Sequence, residues 1–188
     1  MFAVSAARDA LSPLGLASLG YGWPLRMRHN RRVEGRRIAH QLRASLKGPA
    51  WHGPSLLEIL QDVSAEEAQT RPIPSAHTIA ELVAHIAAWN RAAERGLDSQ
   101  IVTLQGEADW PGAGEWSAAV AELEAAVTSL ASRAEATTDD ELKQKVRSAD
   151  SEYSRYVLFH GVTQHNLYHA GQLAVLKKAL RASLGASG

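Results

Sequence analysis

Two histidines four residues apart, His165 and His169, stand inside the run Phe159-His160-Gly161-Val162-Thr163-Gln164-His165-Asn166-Leu167-Tyr168-His169-Ala170-Gly171-Gln172-Leu173. Leu158, Val162, Leu173, Leu176 and Leu180 fall on the three-to-four-residue period of an amphipathic helix. On a wheel of about 100° per residue with His165 at zero, His169 lies at about 40° and Gln172 at about −20°. Val162, Leu176 and Leu180 lie between about 20° and 60°, so both imidazoles share the stripe that the helix must bury. Neutral imidazoles at i and i+4 on one face can reach a single metal ion. Two core histidines hydrogen-bonded to their neighbours fit the same spacing. Asn166 occupies the place of the catalytic Glu in an H-E-x-x-H motif, so any base has to come from elsewhere. His160, about 140° away, points off the stripe and reads as a packing residue.

Other polar residues offer themselves to such a site. Gln172 follows His169 by one turn and can orient a ligand or a bound water, or simply pack as an amide between helices. Tyr168 lies about 60° off the His165 direction and can line a helix interface. His85 sits at the edge of a second stripe, Ile79, Leu82, Ile86, Trp89 and Ala93. Taken alone it reads as a satisfied interior histidine. Trp51 and His52 fall at the break Lys47-Gly48-Pro49 to Gly53-Pro54, where a side chain can face a cavity. A packed Trp beside a surface His fits that break equally well.

Composition narrows the chemistry. The chain has 188 residues, 20 basic and 20 acidic, and no cysteine. The balance implies no broad nucleic-acid or membrane field. Without cysteine there are no thiolate ligands, no disulfides and no cysteine nucleophile, which fits a reducing cytoplasm. Any metal must use nitrogen or oxygen donors. No apolar run approaches the roughly 20 residues of a membrane span.

The elements that must position these residues read as helices. The short stripe Ile38, Leu42 and Leu46 predicts a helix over 38–46, and Pro54 and Ser55 suit the start of the next piece. Ser64 to Glu67 and Thr78 to Glu81 have capping-box form. The second opens a long helix to about Gly96. Trp116, Val120, Leu123, Val127 and Leu130 predict a third long helix over 115–134. Asp150 or Ser151 caps the last, which runs to about Leu184. No alternating strand pattern, phosphate loop or G-x-S-x-G is present. Residues 1–34 differ from the rest in their Gly, Pro and Arg content and read as a poorly ordered or extended segment preceding one domain over 35–184. Their positive cluster, Arg26 to Arg37, follows the apolar run rather than preceding it, unlike a secretory signal. Met27 offers an alternative start.

The stretch Thr78-Ile79-Ala80-Glu81-Leu82-Val83-Ala84-His85-Ile86-Ala87-Ala88-Trp89 and the stretch His165 to Leu173 together resemble the DinB/YfiT-like family of four-helix-bundle metalloenzymes. Ala50-Trp51-His52-Gly53-Pro54 adds to the likeness, which covers roughly 36–182. The resemblance implies an all-α four-helix bundle with long connections and a divalent metal on His85, His165 and His169. Zinc or nickel come first, with iron or manganese also admitted by imidazole. It implies a homodimer acting on a small molecule, by thiol-dependent S-transfer or isomerisation ahead of hydrolysis, with a low-molecular-weight thiol as co-reactant. On this reading His52 and Gln172 serve the chemistry, and Trp51 and Tyr168 contact the cofactor or substrate. The alternative is a non-catalytic metal-binding stress or ligand-binding bundle. Nucleic acid and membrane are not expected partners.

Overall fold

A computed structural model describes residues 31–98, 101–149 and 151–185; residues 1–30, including most of the segment expected to be extended, lie outside them. The chain is mostly helical with one small sheet. Four long helices carry it: α1 (Val33–Lys47), α4 (Ile79–Leu97), α5 (Trp116–Ala136) and α6 (Arg155–Gly185). Two single-turn helices, α2 (Leu56–Leu60) and α3 (Ala65–Gln69), fill the connection between α1 and α4. The long helices touch in a closed circuit, α1 on α5, α5 on α4, α4 on α6 and α6 on α1. The stripes read from sequence meet inside it. Leu42, Ile86, Leu123, Leu130, Phe159 and Leu173 are all fully buried. Among the described residues no helix is long and apolar enough to cross a membrane.

Local chemistry sets the helix starts. Thr78 Oγ1 accepts from the Glu81 N–H (3.1 Å) while the Glu81 carboxylate accepts from the Thr78 N–H (2.8 Å), so the expected capping box opens α4. The same reciprocal pair forms at Ser64 and Glu67. Glu115 caps α5 by accepting from the Ala118 N–H. α1 starts five residues before the predicted position. Its first turn is held from far away, because the Glu34 N–H donates to Asp139 Oδ1 and the Asp139 N–H to the Arg31 carbonyl. A cap supplied by a residue a hundred positions away leaves no local signal. Gly35 lies where α1 meets the end of α5. A Cβ there would stand 2.4 Å from the Ala134 carbonyl oxygen, so only glycine permits the approach.

The segment before α6 corrects the sequence reading. Instead of leading directly into the helix, it forms a hairpin of β2 (Lys145–Ser148) and β3 (Glu152–Ser154), closed by the Ser148 N–H donating to the Ser151 carbonyl. β1 (Ile101–Val102) pairs parallel to β2, giving the order β1-β2-β3. Strands of two to four residues are too short to show a period of two. Ser154, not Ser151, stands before α6, and its Oγ accepts from the Val157 N–H; Asp150, the other expected cap, lies outside the described residues. The sheet packs Val102 and Val146 into the core and lays Tyr153 beside α6.

Candidate metal centre

Helical spacing delivers three imidazoles to one point. His85 comes from the second turn of α4, and His165 and His169 from successive turns near the middle of α6. His165 Nε2 lies 3.1 Å from His85 Nε2 and 3.1 Å from His169 Nε2. One potential ligand atom from each of the three lies within 4.8 Å of the others. α4 and α6 are tied next to His165 by a buried amide pair, in which the Asn90 side chain donates to Asn166 Oδ1 at 2.8 Å. Asn166, at the position of the protease Glu, is thus a helix-to-helix tie.

The outer nitrogens are each held. His85 Nδ1–H donates to the Asp109 carbonyl oxygen at 2.7 Å, and His169 Nδ1–H donates to Gln172 Oε1 at 2.6 Å. Both acceptors are oxygens that only accept, so each ring carries its proton on Nδ1 and presents an Nε2 lone pair inward. His165 Nδ1 is buried without a hydrogen-bond partner among the described residues, so that ring makes its polar contacts only through Nε2. Three lone pairs with so few protons to share suit a cation. Nitrogens bound by one zinc-sized ion at about 2.1 Å stand roughly 3 to 3.5 Å apart, the separation that His165 Nε2 keeps from each of the other two. The residues therefore fit a divalent metal.

Rings pin the site further. Trp110 is stacked between His77 (centroids 3.5 Å) and His85 (3.9 Å), fixing the plane of His85. Trp89 Nε1–H donates to Asp109 Oδ1 at 2.8 Å, which steadies the loop whose carbonyl holds His85. Burial, and then the neighbouring His169 and His85, push the His165 pKa down to about 4. Burial also lowers that of His169. Both rings stay neutral and able to ligate at ordinary pH.

A cleft of about 480 Å³ opens on His85 and His165. A second, of about 500 Å³, lies beside Gln172, Tyr168 and His77. Gln172 thus stands at the site and orients His169, while Tyr168 is 65 % exposed and meets His169 edge-on at 5.0 Å. Trp51 and His52 are placed differently from the expectation that they face the site. Trp51 and His52 are both exposed, and neither lines either cleft. His160 meets Tyr156 in a tilted ring contact outside the triad. The residues that sequence reasoning missed are Asp109, Trp110, His77 and Tyr153. Asp109 and Trp110 sit in an irregular loop, where no period predicts direction; the hint was a Trp beside an acid among Pro and Gly.

The DinB superfamily model matches residues 50–173, a span that includes all three histidines, Gln172 and the loop at Asp109. A search of curated proteins finds none that matches the chain.

Proposed function

Because the chain belongs to the DinB superfamily, we propose that it is a four-helix-bundle protein that holds one divalent metal ion on His85, His165 and His169 and uses it on a small molecule. The convergence of three inward-facing Nε2 atoms carries the reading. Three protein ligands leave an open position, and an ion there supplies a Lewis acid and lowers the pKa of what it binds. Thiol-dependent S-transfer or isomerisation comes first and hydrolysis second. The chain has no cysteine, so a low-molecular-weight thiol has to come from solution.

The chain's own residues prepare the site. The Asp109 carbonyl and Gln172 hold His85 and His169 in the ligating tautomer, and Trp110 locks the His85 plane. Trp89 holds Asp109 beside His85, and the cleft they help line admits a small molecule to His85 and His165. Imidazole ligands accept zinc, nickel, iron and manganese, and zinc and nickel are the first to try. A homodimer, with no nucleic acid or membrane partner, belongs to the same reading; sedimentation velocity tests the oligomeric state.

The experiment is metal analysis of the tag-free protein, followed by a panel of thiols with an epoxide, a haloaromatic or an unsaturated diacid. Turnover should need both thiol and metal and fall at least about 100-fold in His165→Ala, the scale on which positioned catalytic groups act. The one carboxylate at the centre among the described residues, Asp109, is held by Trp89 rather than free as a base. That favours a second reading, a non-catalytic metal-binding bundle. It takes over if the site holds metal and no thiol or electrophile reacts above the uncatalysed rate.

A further inference from the structure

The cleft beside the histidines has a lining of one kind. Trp89, Val102, Tyr153, Val157, Leu158 and Val162 form its walls, and the polar groups gather at the end where His85, His165 and Asp109 stand. No lysine or arginine lines it among the described residues. Its one acidic group already accepts from Trp89 and lies 3.3 Å from His85 Nδ1. An anionic substituent on a ligand body would lose water there and meet no cation in exchange. A neutral apolar body gains by burial. The volume of about 480 Å³ falls within the range of small-molecule sites.

Gly161 and Tyr153 shape the cleft. Gly161 lines it from the second turn of α6, where alanine would favour the helix more than glycine. A side chain added there would meet no other atom within 4 Å, so nothing within the chain requires the glycine. Its absence of side chain keeps the cleft open. Tyr153, brought in on β3, also lines it, and its hydroxyl has no hydrogen-bond partner among the described residues. It offers a neutral donor to a ligand carbonyl or hydroxyl.

We infer that this cleft is the substrate subsite, and that it takes an uncharged, largely apolar or aromatic molecule with a carbonyl or hydroxyl within reach of Tyr153. The inference rests on the proposed metal-site reading for what happens at the polar end, but the binding itself does not need the metal. It narrows the substrate class away from diacids and toward neutral electrophiles. Gly161 and Tyr153 are its specificity residues.

The test uses two probes with one aromatic frame, neutral N-phenyl-1-naphthylamine and anionic 8-anilino-1-naphthalenesulfonate. They are titrated by fluorescence into the full-length chain with a chelator present, so that no ion draws the sulfonate. The neutral probe should bind at least about tenfold more tightly. Gly161→Leu should weaken it at least about tenfold while leaving metal uptake unchanged and the melting temperature equal or higher, which separates a filled cleft from a damaged fold. Tyr153→Phe should lose affinity for 1-acetonaphthone and not for 1-ethylnaphthalene. Equal binding of the two probes, or an unchanged titration in Gly161→Leu, overturns the subsite. If the titrations behave as expected and the thiol panel shows no turnover, the subsite stands and the proposed reaction falls. If turnover is found with diacids and the neutral probe ignores Gly161→Leu, the reverse holds.

Discussion

At His165, the protonation state and the ligand role are the same question. Its ordinary pKa of 6.5 is pushed down to about 4 by burial first and then by the neighbouring imidazoles. The folded chain therefore resists a proton that the unfolded chain accepts. Metal-free protein should be insensitive to pH above about 6.5 and lose stability as pH falls from there toward 4, where the folded form is protonated as well. Thermal melts in chelator at pH 7.5, 6 and 5 check this, and the slope should be shallower in His165→Ala. The same depression means that protons compete weakly for the site, so metal should remain bound below the ordinary histidine range, as metal content after dialysis at stepped pH will show. Gln172→Ala should keep the fold and weaken metal binding roughly 10–100-fold, the usual effect of losing a group that orients a ligand histidine; competition with a chromogenic chelator measures it. The inward direction of His165 and His169 was legible because helical periodicity gives direction, whereas His85 alone read as an interior histidine and joined them only through the family resemblance. Asp109 and Trp110 were not legible, since a loop carries no such rule, and a carbonyl acceptor such as that of Asp109 could belong to any residue type.

Among the elements, the four long helices followed from apolar period and capping residues, and their limits deviate only where a distant residue intervenes. The extra turn of α1 depends on Asp139, and the hairpin before α6 on a pairing of Val146 with Tyr153 that strands this short do not announce. That sheet nevertheless puts Val102 and Tyr153 into the lining of the cleft, so what the sequence hid was part of the cleft wall. Helix glycines give a contrast that tests the packing. A Cβ on Gly35 would stand 2.4 and 2.5 Å from the Ala134 and Thr137 carbonyl oxygens at the end of α5, whereas one on Gly171 would face open space. Gly35→Ala should force α1 off the end of α5 and cost about 1–3 kcal/mol. Gly171→Ala should stabilise by roughly 0.5–1 kcal/mol, since it removes unfolded-state freedom and adds no clash. Urea titrations of the two variants should therefore move their midpoints in opposite directions. A shared direction would mean that α1 does not approach α5 as described.

For the molecule as a whole, the question is whether the metal makes the fold or the fold makes the metal site. The core argues for the second. Leu42, Ile86, Leu123, Leu130, Phe159 and Leu173 are fully buried and contribute no ligand, and each long helix rests on two others. Fully burying one such side chain contributes on the order of 1.5–3 kcal/mol, so the set outweighs the cost of three neutral histidines left without an ion. A structural zinc domain behaves otherwise, because its few apolar residues cannot hold it together without metal. Chelation should accordingly leave the far-ultraviolet circular dichroism of this chain unchanged and lower only its melting temperature. Ion at about 100 times its dissociation constant stabilises by about 2.7 kcal/mol. For a chain of this length each kcal/mol is worth about 2–4 °C, so the shift should be roughly 5–11 °C and should grow with the logarithm of metal concentration. Collapse of the helical signal on chelation would place the metal inside the folding reaction and reverse the order. A melting temperature indifferent to every divalent ion tried would instead remove the metal from the site.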